Sequence, residues 1–286
     1  MKRILLSTIL YLLIATHALA ATSVWKLQKG DSILYLGGTC HLLRPTDYPL
    51  PPEFNQAYQA SDIVVFETDL AQLNAPETQQ ELMAKAVYAD GSTIEKHVSA
   101  KTYQLLKDYC ETNGMPIELF QQFKPSVISV MLTTIELGKL GATQMGVDVF
   151  FYQEAAKDGK PVAGLETVEQ QIRYVLGMGE GNEDAFIAYS LEDLKSLQQQ
   201  YDGLVKAWRD GDVESLNELM NAELKTRTPK LYKELLTDRN ENWLPLIEAY
   251  QKTPQKEFIL VGVGHLVGPD GMIEALKKRG YKVEQL

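Results

Sequence analysis

Two short segments at opposite ends of the chain share one pattern, an apolar run that ends in Gly-x-x-His-Leu. Ile33-Leu34-Tyr35-Leu36-Gly37-Gly38-Thr39-Cys40-His41-Leu42 carries it near the start. Phe258-Ile259-Leu260-Val261-Gly262-Val263-Gly264-His265-Leu266 repeats it near the end. A short apolar run bounded by glycine reads as a buried strand. Glycine permits a tight turn off the strand end, so each histidine is presented just beyond it. In an open α/β sheet the carboxyl ends of the strands are where ligands bind. Neighbouring strands lie about 4.8 Å apart, so histidines leaving adjacent or next-but-one strands converge on one ligand.

Other side chains follow the same placement. Asp62-Ile63-Val64-Val65-Phe66 is a second buried strand, and Glu67-Thr68-Asp69 comes directly after it. A carboxylate there serves as a metal ligand or a general base, or faces solvent as an ordinary strand-end charge. Glu67 is the stronger candidate and Asp69 the weaker. Pro161-Val162-Ala163-Gly164 is a short strand followed by Glu166. That glutamate also suits a helix start, where negative charge is favoured by the helix dipole. Asp238-Arg239-Asn240 lies between predicted helices, where an arginine beside carboxylates could clamp an anion or a developing oxyanion. His97 has no comparable setting and reads as structural.

Helical patterns fill the rest. They cover Glu53–Ser61, Gln72–Tyr88, Ala100–Asn113, Pro125–Leu140 and Gly146–Lys157, with Gly114 and Gly141 as stops. A long helical block follows from about Val168 to Tyr250, with expected breaks at Gly177–Gly181, Gly203, Gly211 and Pro229. Strand Glu257–Val261, helix Met272–Lys278 and strand Tyr281–Glu284 close the chain. Strands at both ends and near Pro161, with helices between, predict an α/β fold. The expected architecture is a central mixed or mostly parallel sheet with large helical insertions and no clean domain cut.

Lys2 and Arg3, the apolar stretch Ile4–Ile14 and the small-x-small triplet Ala18-Leu19-Ala20 form the pattern of a secretory signal peptide. Residues 1–20 are therefore expected to be removed, leaving one α/β domain over 21–286 that is secreted, or periplasmic in a Gram-negative cell. No later run approaches the roughly 18 apolar residues of a membrane span, so no stable membrane insertion is expected after cleavage. Losing Lys2 and Arg3 takes the formal net charge from −10 to −12. That acidity, with scattered aromatic residues, argues against nucleic acid as a partner. A peptide or small-molecule substrate is the partner expected. Cys40 and Cys110 are the two cysteines. In an oxidising compartment they either pair or stay as thiols, and Cys40 beside His41 could also be a metal thiolate.

The chain has no His-Glu-x-x-His, no Gly-x-Ser-x-Gly and no Walker loop. It does carry Gly38-Thr39-Cys40-His41, Phe66-Glu67, Gly164-Leu165-Glu166-Thr167, Asp238-Arg239-Asn240 and Gly262-Val263-Gly264-His265 in that order. The ordered set resembles the TraB/PrgY/GumN family, which includes the TIKI-type proteases that inactivate Wnt ligands. Asp90-Gly91-Ser92-Thr93 with His97-Val98-Ser99 resembles its bacterial GumN-like branch. The resemblance implies a fold related to the erythromycin-esterase-like hydrolases and, for TIKI-type members, proteolysis supported by manganese or cobalt. Cys40 departs from the aliphatic residue expected at its position.

The leading expectation is an exported metal-dependent hydrolase of the peptidase class. His41, Glu67 and His265 would hold Mn²⁺, Co²⁺ or Zn²⁺, since two histidines and a carboxylate suit several divalent ions. Arg239 and Asn240 would steady the oxyanion, and Glu166 would orient a histidine or act as a base. One alternative is a metal-independent, esterase-like hydrolase with His41 as base. The other is a peptide- or ligand-binding protein without turnover.

Overall fold

The computed structural model describes residues 21–286; the expected signal peptide, 1–20, lies outside them. The chain enters as strand β1 (Val24–Lys29), turns at Gly30 and returns as β2 (Ser32–Thr39). Helix α1 (Pro52–Ala60) leads to β3 (Ile63–Phe66). Four helices follow: α2 (Leu70–Leu73), α3 (Pro76–Ala86), α4 (Ala100–Thr112) and α5 (Pro125–Lys139). Then α6 (Val147–Asp158) precedes the short strand β4 (Val162–Gly164). The second helical block opens with α7 (Val168–Gly177), α8 (Glu183–Asp193) and α9 (Leu197–Arg209).

Two longer helices complete that block, and each carries a wide π turn. In the first, α10 (Val213–Asn217) passes through a π turn at Glu218–Ala222 into α11 (Glu223–Arg227). In the second, α12 (Pro229–Tyr232) passes through Lys233–Thr237 into α13 (Asp238–Tyr250). The chain ends with β5 (Glu257–Gly262), the single turn α14 (Val263–Leu266), α15 (Met272–Lys278) and β6 (Lys282–Gln285).

The six strands form one mixed sheet in the order β4-β3-β5-β2-β1-β6. β4, β3, β5 and β2 run parallel, whereas β1 is antiparallel to β2 and β6. This is the α/β architecture expected. The registers matter for function: Thr39 faces Gly262, Phe66 faces Leu260, and Phe66 also faces Gly164. Four parallel strands thus finish side by side at one edge.

The main core packs around this sheet. Phe54 of α1, Phe151 of α6 and Trp208 of α9 close on Phe258 and its neighbours. Trp208 also donates its indole N–H to Gly38 O at 2.7 Å. A second core lies within the helical insertions, where Leu106 and Cys110 of α4 meet Ile128 and Leu132 of α5 and Ile187 and Leu191 of α8. Cys40 belongs to the first core and Cys110 to the second, and both are buried free thiols. The two cysteines are therefore not paired.

Gly203 lies inside α9 rather than breaking it. The cost of one helical glycine, about 1 kcal/mol, is small beside the burial of Tyr201, Val205 and Trp208 on the same helix. Gly146 has a different purpose. It precedes α6 with an extended backbone, and a Cβ there would lie 2.2 Å from the carbonyl oxygen of His41. Only a residue without a side chain lets α6 approach the loop after β2. Gly146→Ala is therefore expected to destabilise the protein by about 1–3 kcal/mol, the cost of overpacking. Gly138→Ala, at an exposed position of α5 with open space around it, should add up to about 1 kcal/mol. Denaturant titration of the two variants checks the contrast.

Candidate functional site

Each strand of the parallel set delivers one candidate. Glu166 follows β4, Glu67 follows β3, His265 lies on the turn after β5 and His41 follows β2. Arg239 and Asn240 enter from the first turn of α13, both buried. The site residues foreseen from the sequence therefore gather at one sheet edge.

At the centre is the guanidinium of Arg239. Its Nε donates to Glu166 Oε2 at 3.1 Å, and its Nη2 donates to Glu166 Oε1 at 2.7 Å and Glu67 Oε2 at 2.5 Å. Nη1 donates to Leu235 O at 3.3 Å and to His265 Nε2 at 3.1 Å. A guanidinium has five N–H donors, and these five bonds use them all. Trp243 and Tyr174 face the same group, 4.6 Å and 5.4 Å from ring centre to guanidinium carbon. Arg239 thus has no donor left for a substrate oxyanion in this arrangement, contrary to the clamp expected of it.

The tautomer of His265 follows from its neighbours. Asn240 Nδ2 donates to the carbonyls of His265 and Asp270, which turns its Oδ1 toward the ring. His265 Nδ1 lies 2.8 Å from that oxygen and must carry the proton, while Nε2 accepts from Arg239. The ring is therefore neutral. Burial and the neighbouring Arg239 charge push His265 down to about 3, with Glu67 pulling the other way. Asn240, whose amide is wholly engaged, sits behind the histidine and not at an oxyanion position. Glu166 holds Arg239 rather than a histidine; burial raises its carboxyl despite the arginine.

The groups with free capacity are Glu67 and His41. Burial disfavours the Glu67 charge, but the neighbouring Arg239 charge, His41 and the Gly262 N–H outweigh it and hold the carboxyl at about 2. Gly262 N donates to Glu67 Oε1 at 2.7 Å. His41 Nδ1 lies 2.8 Å from Asp148 Oδ2, so its Nδ1–H is held and Nε2 is left for other work. Asp148 raises His41 to about 9; with 59% of the side chain exposed, solvent screens part of that pull. Asp148 was not foreseen, because an acidic residue in a first helical turn is ordinary dipole complementarity. Among the other acidic and histidine candidates, Asp69 caps α2 by accepting from Ala71 N and Gln72 N. His97 stacks on Tyr88 with ring centres 3.6 Å apart and bonds Ser92 Oγ.

Gly262 leaves a small cradle between the free groups. A Cβ placed there would lie 3.3 Å from Glu67 Oε1, 3.6 Å from His41 Nε2 and 3.7 Å from His265 Cδ2. Two carboxylates share one guanidinium at this edge, leaving an excess negative charge that suits a cation. His41, with a carboxylate behind its other nitrogen, has the form of a metal-ligating histidine. Its Nε2 and Glu67 Oε1 fit a divalent ion as donors. His265 does not, since Asn240 and Arg239 occupy both ring nitrogens. Among the described residues no group of three His, Cys, Asp or Glu is arranged to hold a metal, so the expected His41–Glu67–His265 set is not assembled.

The sequence model of the TraB/PrgY/gumN family matches residues 23–285. Metalloprotease TIKI2 of Danio rerio is 25% identical over 303 residues, which cover 87% of this chain and 58% of that protein. Metalloprotease TIKI1 of Homo sapiens is 24% identical, covering 91% of this chain and 61% of that protein. The chain thus spans about three-fifths of the length of these relatives. Uncharacterized protein YbaP of Escherichia coli (strain K12) is 24% identical over 87% of this chain and 89% of its own length. No solved structure matches.

The Arg239 cluster makes a definite demand on stability. Removing one partner of a buried ion pair strands the other charges, at about 3–5 kcal/mol. Arg239→Met is expected to lose that much, and Arg239→Lys to recover only part, because an ammonium cannot span both carboxylates with a planar fork. Adding Glu166→Gln to Arg239→Met should restore some stability. Urea unfolding of the three variants measures this.

Proposed function

The chain belongs to the TraB/PrgY/gumN family, and from that membership we propose that its strand-end cluster is the active site of an exported, metal-dependent peptide hydrolase. The observation that carries this reading is the Gly262 cradle, which has His41 Nε2 and Glu67 Oε1 on its two sides and belongs to a cavity that both residues line. The metalloprotease names of the TIKI relatives support the reaction class. Export rests on the Lys2-Arg3 start, the apolar stretch and Ala18-Leu19-Ala20. Among the described residues no helix is long and apolar enough to cross a membrane.

A divalent ion, when bound, would be held by His41 Nε2 and Glu67 Oε1, and would polarise a carbonyl and acidify a water. Manganese or cobalt is the proposed metal, with zinc as a further possibility of the same donor set. The chain's own residues do the rest. Asp148 holds the His41 ring so that Nε2 faces the cradle. Glu67 stays ionised, its second oxygen and the Gly262 N–H fixing the carboxylate plane. Arg239 contributes a fixed positive charge close to the reacting edge, acting through space because its donors are spent. Glu166 locks the guanidinium, and Asn240 locks His265 as an acceptor for it. Glu67 and His41 are the groups proposed to act on substrate, and Asp148, Glu166, Asn240 and His265 are positioning residues.

The test is metal binding and peptide turnover measured together. The protein over 21–286, loaded with Mn²⁺, Co²⁺ or Zn²⁺ and desalted, should retain the ion and cleave members of a peptide library. His41→Ala should lose both. Asp148→Asn should keep the fold and weaken metal affinity by about 10–100-fold, the usual cost of removing such a partner. Gly262→Ala has an ordinary backbone conformation to occupy but would fill the cradle. Activity should fall by about 100-fold, the scale of a misplacement near 1 Å, with little change in melting temperature. Turnover that survives exhaustive chelation would instead favour the His41–Asp148 pair as a metal-free base. Stoichiometric peptide binding without cleavage would favour a binding protein.

A further inference from the structure

The cavity at this site has two unlike halves. One is the polar edge already described. The other is a wall of four half-buried apolar side chains, Met220, Leu224, Leu235 and Leu236. The wall comes from the two helices that carry π turns: Met220 lies in the turn at Glu218–Ala222, Leu224 just beyond it, and Leu235 and Leu236 in the turn at Lys233–Thr237. Such turns are rare and recur at functional sites. Leaving four apolar side chains half exposed beside ionised groups has a cost that a ligand would remove.

The wall is tied to the polar edge at both ends. Asn221, buried, donates from Nδ2 to Gly264 O at 3.0 Å and to Val267 O at 3.3 Å. That fixes the first π turn to the loop bearing His265. Arg239 Nη1 donates to Leu235 O and fixes the second π turn to the ion cluster. The separation between apolar wall and reacting edge is therefore set by hydrogen bonds and not by loose packing.

The cavity volume is about 230 Å³. Sites that enclose a whole small molecule run from roughly 300 to 1,000 Å³. The space thus suits one side chain of a longer substrate, with the remaining chain lying outside. Resting on the peptidase reading, we propose that this wall is the specificity pocket of the site. It takes an aliphatic side chain of a peptide, at a residue flanking the bond presented to His41 and Glu67. Lysine, glutamate and glycine are excluded for different reasons. Against Leu224 and Leu235 either charge would be desolvated by side chains with no polar atom to meet it, and glycine leaves the wall uncovered.

Binding and cleavage are measured separately. Fluorescein-labelled Ala-Ala-X-Ala-Ala peptides, with X as Gly, Val, Leu, Lys or Glu, are titrated into the His41→Ala protein by fluorescence anisotropy. The same peptides are offered to the wild-type protein with Mn²⁺, and products are identified by mass. The leucine and valine peptides should bind about tenfold or more tightly than the glycine peptide, the scale of a few methylenes in an apolar pocket. A Leu224→Ser, Leu235→Ser double substitution, checked for an unchanged melting temperature, should abolish that preference. Equal affinity across the series, tightest binding of a charged peptide, or no binding at all overturns the proposal. Cleavage that ignores X removes the pocket and leaves the hydrolase. Aliphatic preference in binding without any cleavage keeps the pocket and removes the hydrolase.

Discussion

One arginine holds the working edge of this fold together. Glu67 and Glu166 leave neighbouring parallel strands with side chains only 8% and 4% exposed, and two such carboxylates would repel each other severely without a cation between them. Arg239 supplies that cation from a helix about 70 residues further along the chain than Glu166, and it binds both at once through a planar fork. Its remaining donors reach His265 and the carbonyl of Leu235. The second helical block is therefore bonded to β3, β4 and the turn after β5 through a single side chain. Burying charge is costly, and a fold seeking stability alone would put apolar residues here. What the cluster gives in return is a fixed orientation for Glu67 and a neutral, immobile His265.

Different parts of the site were legible in the sequence to different degrees. His41, Glu67, Glu166 and His265 stand out because each follows an apolar strand, and the parallel order β4-β3-β5-β2 places those strand ends together. A one-dimensional reading of strand ends is enough when the sheet is parallel, since one end of every strand then faces the same way. The roles of the side chains were not legible. Arg239 beside carboxylates reads as an anion clamp, yet the number of its donors that remain free depends on what folds around it. Asp148 was hidden for a related reason: an aspartate in a first helical turn has an ordinary explanation, and only packing across Gly146 brings it to His41.

The fold shows the same division. The strands and most helices of the chain follow apolar period and glycine punctuation. Gly203 is one exception, because tertiary burial outweighs its propensity; the helix expected over Gln72–Tyr88 is another, since it breaks at Asn74 before Pro76 into α2 and α3. The π turns at Glu218–Ala222 and Lys233–Thr237 have no such signature. Neither turn contains proline or glycine, although Pro229 and Pro245 lie elsewhere in the helix that carries the second, and both turns face the sheet end that holds the site. The pairing of cysteines was equally unreadable, since it depends on which of two cores each thiol joins.

Gly262 brings these strands of argument to one point. It ends β5, donates its N–H to Glu67, and leaves vacant the volume that a methyl group would occupy between Glu67 Oε1 and His41 Nε2. Backbone strain does not require glycine there, because its φ of −48° suits most residues. The demand comes instead from the space itself, which lies between an ionised carboxylate and an imidazole nitrogen oriented by Asp148. A fold that needed only a stable sheet edge would gain from a larger side chain at this position, through burial and lower chain entropy. Keeping the space empty of protein, ringed by charge on one side and by Leu224 and Leu235 on the other, makes sense when something other than the chain is to fill it.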